Sequence, residues 1–184
     1  MEEFHRTREE LDAALDAVGA SPAEVGRVEL IVRRPDTGER EVVTAAELDV
    51  DEGLVGDNWR RRGSGSRPDG SANPDAQLTL MNAHAAQAVA ATRERWPLAG
   101  DQLYVDLDLS VDNLPPGTQL ALGDAVIEVT HEPHTGCAKF SERFGSDAIR
   151  WVNQSPGREL RLRGVNTRIV SGGVVRVGDA ISRL

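Results

Sequence analysis

The sequence predicts a mainly β domain, a closed or nearly closed β-barrel with a few peripheral helices. Short apolar runs recur along the chain, several alternating with polar residues as half-buried strands do. Gly-Asp pairs at residues 56-57, 100-101, 123-124 and 178-179 punctuate them as turn formers. Helical periodicity is confined to a few stretches. Many short strands with few helices bury their apolar faces most simply by closing the sheet on itself.

The elements follow in order. From about Glu3 to Val18, Phe4, Leu11, Leu15 and Val18 fall on one helical stripe, and Gly19 is placed to end it. Ser21-Pro22-Ala23-Glu24 has the form of a short helical start. Arg27–Arg33 alternates through Val28, Leu30 and Val32, with Ile31 out of step. Pro35-Asp36-Thr37-Gly38 makes a turn, and Glu41–Thr44 returns as the second strand of a hairpin. Arg60 to Asp75 carries no periodicity and reads as a surface loop. Gln77–Met81 is a short strand, and Asn82 caps a helix running to about Arg95. Leu103–Leu109 alternates again, and Ala125–Thr130 is the clearest strand. Phe140–Val152 reads as one or two short helices. The tail from Glu159 to Leu184 is strand-like, broken at Gly164, Gly172-Gly173 and Gly178-Asp179. This divides the chain into a helical segment, 1–24, and a barrel domain, 25–184.

A chain of 184 residues is one domain and buries roughly 70% of its unfolded surface, so it needs no disulfide or structural metal to hold a core. The 39% apolar and 28% charged fractions are those of a soluble globular protein. Aromatics are only 4%, which leaves the core to Val, Leu, Ile and Ala. The formal net charge of −9 disfavours nucleic acid and anionic membrane surfaces as partners. Arg60, Arg61 and Arg62, followed by Arg67, are the one dense basic run, either a solvated loop or an anion-binding one. A single cysteine excludes an intramolecular disulfide and fits a reducing compartment. The charged first residues carry no secretory h-region and no apolar run reaches a membrane span, so the expected location is the cytoplasm.

The densest group of reactive side chains is His131-Glu132-Pro133-His134-Thr135-Gly136-Cys137, with Lys139 and Arg143 beyond. It begins where the clearest strand ends, at an accessible rim. Two histidines and a cysteine spaced three apart could share one borderline metal ion, so His131, His134 and Cys137 form a candidate zinc set. Alternatively Cys137 is a small buried hydrophobe in a non-catalytic interaction module. Its loop position beside basic residues favours a reactive thiolate. No Gly-x-Ser-x-Gly elbow and no phosphate loop of the Walker type occur.

Four segments in order carry a family resemblance: Gly53-Leu54-Val55-Gly56-Asp57, Gly100-Asp101-Gln102-Leu103, Leu122 to Thr130 leading into the Cys137 loop, and Gly172 to Ile181. Over residues from about 25 to 184 the sequence resembles the MOSC domain, the C-terminal module of molybdenum-cofactor sulfurases, in its small stand-alone bacterial form. The resemblance implies a barrel of mixed strand direction and a role with the molybdenum cofactor (molybdopterin) or with sulfur carriage. It implies that Cys137 is the catalytic residue, as a molybdenum ligand or a persulfide carrier, and that an electron-donor or sulfur-donor protein is the partner. Reductase-like members of the family reduce N-hydroxylated compounds. Arg60, Arg61, Arg62, Asn58, His134, Lys139 and Arg143 are the candidates for holding the cofactor, whose phosphate needs basic or N–H partners. Pyridoxal phosphate is associated with the family, but this chain has no lysine motif or sulfurase domain for it. The loop after Asp57 lacks the family's usual His-Gly-Gly. Gly100-Asp101-Gln102-Leu103 stands where reductase-like members have Gly-Glu-Asn-Leu, and Thr135-Gly136 where they place Arg and Pro.

Overall fold

The computed structural model describes residues 5–184. Eleven strands form among them: β1 (Val25–Arg33), β2 (Glu41–Val43), β3 (Ala45–Asp49), β4 (Gly53–Leu54), β5 (Leu78–Asn82), β6 (Leu103–Asp106), β7 (Gln119–Leu122), β8 (Ala125–Val129), β9 (Val165–Ser171), β10 (Gly173–Arg176) and β11 (Ala180–Arg183). The helices are α1 (Arg8–Asp12), α2 (Leu15–Gly19), α3 (Trp59–Arg62), α4 (Ala83–Ala90) and α5 (Ala138–Asn153).

Strands β1-β6-β5-β9-β8-β7-β11 form a closed ring, because β11 pairs back onto β1 at Val25↔Ser182 and Arg27↔Ala180. The barrel is mixed, as expected: β5 and β6 are parallel and the other neighbours antiparallel. Parallel neighbours need a crossover, here α4 followed by a 3-10 turn at Arg93–Ala99. The hairpin partner β2 extends β1 outside the ring, and β10-β3-β4 make a small second sheet.

Two apolar layers result. Val28, Ile31, Leu80, Leu103, Val105, Ile127 and Val129 fill the barrel, whereas Leu30, Val32, Met81 and Tyr104 face outward under the helices. Ile31, which breaks the alternation of β1, has a cause. The register against β6 shifts between Val28 and Leu30, and a bulge of one residue exchanges the faces of everything after it. No helix among the described residues is long and apolar enough to cross a membrane.

Several expectations need correction. The N-terminal helix is two short ones broken at Ala13-Ala14; its predicted start, Glu3 and Phe4, lies outside the described residues. Thr7 caps α1 by a reciprocal bond with Glu10, which starts the helix at Arg8. Ser21 to Glu24 is not helical; Ser21 instead takes a buried hydrogen bond from Asn82 at 2.9 Å. Arg60–Arg62 belong to one helical turn, α3, rather than to the loop. Asn82 does cap α4, accepting from the N–H groups of His84 and Ala85, but α4 ends at Ala90. The two short helices expected after Phe140 are the halves of α5, parted at Gly145, whose φ of +92° leaves the helical region. The final strand region starts at Val165, not Glu159.

Candidate functional site

Antiparallel neighbours place the end of one strand beside the start of the next. The exit of β1 at Arg34 therefore meets the entry to β6 at Gly100-Asp101, and the exit of β8 meets the entry to β9 at Arg163-Gly164. At this rim the loop 130–137 is held by side chains from other elements. Asn166 Nδ2 donates to the carbonyls of Glu132 and Pro133 at 3.2 and 3.1 Å. Asn153, at the end of α5, accepts from Gly136 N–H at 2.8 Å and donates to its carbonyl at 3.0 Å. His134 Nε2 lies 2.7 Å from Asp101 Oδ1.

Asp101 is wholly buried, and Arg163 completes the pair from the other side: one guanidinium nitrogen meets Asp101 Oδ2, the other donates to the Ala99 carbonyl at 2.9 Å. Burial alone would raise the Asp101 pKa; Arg163 and His134 overcome it and hold the carboxyl below its ordinary value. Burial, with Arg163 adding, pushes His134 below its ordinary value despite Asp101. The pair at rest is a carboxylate and a neutral imidazole.

Beside this lies a cleft of about 260 Å³ that Cys137 lines together with Arg34, Arg40, Asn58, Arg62, Lys139, Arg143 and Arg163. Arg34 is answered by Asp57, which accepts its Nε and Nη2 at 2.9 and 2.8 Å. Among the described residues, Arg40, Arg62, Lys139 and Arg143 make no ion pair; Arg40 and Arg143 donate only to backbone carbonyls, Pro97 and Glu39 for one, Leu98 for the other. Burial first, then Arg34 and Arg40, lower the Arg62 pKa, and burial, Arg143 and Arg34 lower that of Arg40. The cations repel one another, and Asp57 offsets this only in part. Two buried atoms at the cleft, Asn58 Oδ1 and Arg163 Nε, have no hydrogen-bond partner. A chain of formal charge −9 thus lines one cleft with six cations beside its thiol.

The sequence matches the family model described as the MOSC domain over residues 67–182. The chain belongs to the MOSC domain family. No curated relative matches the sequence. Among solved structures, the YuaD protein of Bacillus subtilis resembles the MOSC chain with a TM-score of 0.63 at 15% identity, covering 85% of this chain and 94% of that one. A hypothetical protein gives 0.62 at 20% identity, over 86% and 68%. YiiM of Escherichia coli gives 0.55 at 21% identity, over 86% and 69%. These likenesses are of fold.

The MOSC rim sorts the residues singled out in the sequence. Cys137, Asn58, Arg62, Lys139 and Arg143 share the cleft. Arg60 and Arg61 do not line it: Arg60 pairs with Glu52 at 2.5 Å, and Arg61 donates to the Pro35 carbonyl at 2.8 Å. His134 lines an adjoining cleft that shares Arg34, Arg62, Gly100 and Arg163 with the first. His131 opens onto a third, which His134 also lines. The zinc set is not brought together: no group of three His, Cys, Asp or Glu among the described residues is placed to hold a metal ion, and His134 Nε2 is committed to Asp101. Cys137 is exposed, not the buried hydrophobe that the alternative reading expected.

Sequence reasoning missed Arg34, Arg40 and Arg163 and gave Asp101 only a place in a motif. A faint signal existed in Arg158, Arg161 and Arg163, a run of arginines in an apolar frame.

Proposed function

We propose that this MOSC protein binds the molybdenum cofactor in the cleft at the barrel rim, with Cys137 as its thiolate ligand, and that it is a reductase of N-hydroxylated compounds. The observation that carries the reading is one cleft holding an exposed thiol and four cations without carboxylate partners. A soft thiolate suits molybdenum, and uncompensated cations suit the phosphate of a pterin-bound metal. The unpartnered Asn58 Oδ1 and Arg163 Nε fit such a guest, one as acceptor and one as donor. When bound, the cofactor would supply a two-electron redox centre. The protein's residues hold and orient it: Arg62, Lys139, Arg40 and Arg143 neutralise its negative charge, and the pinned loop fixes the thiol. Because Cys137 is the chain's single cysteine, no internal dithiol can store electrons, so a partner protein would deliver them. The exposure of Cys137 also supports a second reading, carriage of persulfide sulfur from a donor protein.

The test is cofactor loading. Protein purified from cells that make the cofactor is assayed for molybdenum and pterin, wild type beside an Arg62→Gln, Lys139→Gln double variant. Near-stoichiometric loading of the wild type and at least about tenfold weaker retention in the variant, about 1.4 kcal/mol, are expected. Wild type without molybdenum, or a variant that loads equally well, contradicts the reading.

A further inference from the structure

We propose that His134 is the proton-transfer residue of this site, acting through Nδ1, with Asp101 as its positioning residue. The inference rests on the reductase reading above.

The geometry of the ring assigns the role. Asp101 takes His134 at Oδ1 and Arg163 at Oδ2, so both oxygens face donors and the buried carboxylate is kept ionised. A carboxylate only accepts, which places the imidazole proton on Nε2 and a lone pair on Nδ1. Cδ2 packs against the entry to β9: an ideal Cβ at residue 164 would lie 3.1 Å from it. The Nε2–Cδ2 edge therefore faces inward, and Nδ1 is the ring vertex opposite that edge. The side chain retains 17% exposure, and Nδ1 has no protein partner among the described residues. Asp101 holds this ring as the carboxylate of a catalytic triad holds its histidine.

The surroundings set the charge. Asp101, Arg163 and Arg34 act on the ring, Arg62 and Glu132 share its cleft with Arg34 and Arg163, and His131, Arg158 and Arg161 line the side beyond. The imidazole is neutral at rest, takes a proton from water at Nδ1, and is stabilised as imidazolium by Asp101. Reduction of R–NH–OH consumes two electrons and two protons and yields R–NH2 and water. Two electrons from a reduced carrier protein cleave the N–O bond. One proton, drawn from solvent, goes to nitrogen, and the other passes from His134 Nδ1 to the departing oxygen, which leaves as water. His134 is then reprotonated from solvent.

Two readouts test this. Nitrogen-15 NMR of the wild-type histidine rings, with His134→Gln to assign the signal, should show an Nε2–H tautomer that titrates below the ordinary histidine range. A proton on Nδ1 at neutral pH, or ordinary titration, overturns the assignment. In cofactor-loaded protein reducing an N-hydroxylated benzamidine, His134→Gln should lower kcat about 10² to 10⁴-fold. Its pH profile should lose the limb along which activity falls as His134 deprotonates, with molybdenum content unchanged. A variant with wild-type kcat and pH profile overturns the role while leaving the reductase reading intact. A loaded wild type that reduces nothing overturns that reading, and this role with it.

Discussion

Asn153 grips Gly136 at both of its polar backbone atoms, mimicking with one carboxamide the paired bonds of an antiparallel ladder. The residue gripped immediately precedes Cys137, so the end of α5 sets where the thiol stands. A cofactor ligand works only if its rotamer and backbone are fixed before the guest arrives.

Asn153→Ala should therefore act on the thiol more than on the fold. Losing two partly buried hydrogen bonds costs about 1–3 kcal/mol, visible as a lower melting temperature. Alkylation of Cys137 by iodoacetamide should accelerate as the loop loosens, and an unchanged rate would show that the grip does not restrain it.

Gly164 sits where the entry to β9 passes between β5 and His134. Its φ is +112°, and a Cβ there would lie 2.3 Å from the Leu80 carbonyl oxygen. Gly164→Ala combines backbone strain with a clash against main chain, and should cost about 2 kcal/mol or more. The melting temperature checks it; a variant as stable as wild type would mean that the strand entry moves freely.

The Asp101–His134 pair makes stability depend on pH in two separate windows. His134 has a lowered folded pKa, so below its ordinary value near 6.5 the unfolded chain binds the proton more readily. Stability present above that value is lost as pH falls toward the folded pKa. Asp101 is lowered too, and its contribution, present above its ordinary value of 3.8, is lost as pH falls through the folded one. Urea midpoints at about pH 7.5 and about pH 5.5 should differ in wild type, and His134→Gln should shrink the difference. An equal difference in the variant would assign the effect to other groups.

The barrel was legible because its strands are short, alternating and closed by Gly-Asp turns, and the Cys137 loop was legible because its reactive groups are adjacent in sequence. Other features depend on long-range pairing. The bulge that turns Ile31 inward is a property of β1 against β6, and no local pattern marks it. Arg34, Asp101, His134 and Arg163 meet because four strand ends share a rim, so sequence distance hides them. Spacing was a weak guide in one case. Positions three apart, His131, His134 and Cys137, suggested a shared metal, but the two histidines line one cleft and Cys137 another.

The most direct test of the central claim is the molybdenum content of wild type and Cys137→Ser, both purified from cofactor-producing cells and both shown folded by circular dichroism. The account predicts near-stoichiometric molybdenum in the wild type and its loss in the variant, with the melting temperature little changed because Cys137 is exposed and buries no contacts of the core. Molybdenum retained in full without the thiol, or absent from both proteins, would contradict it.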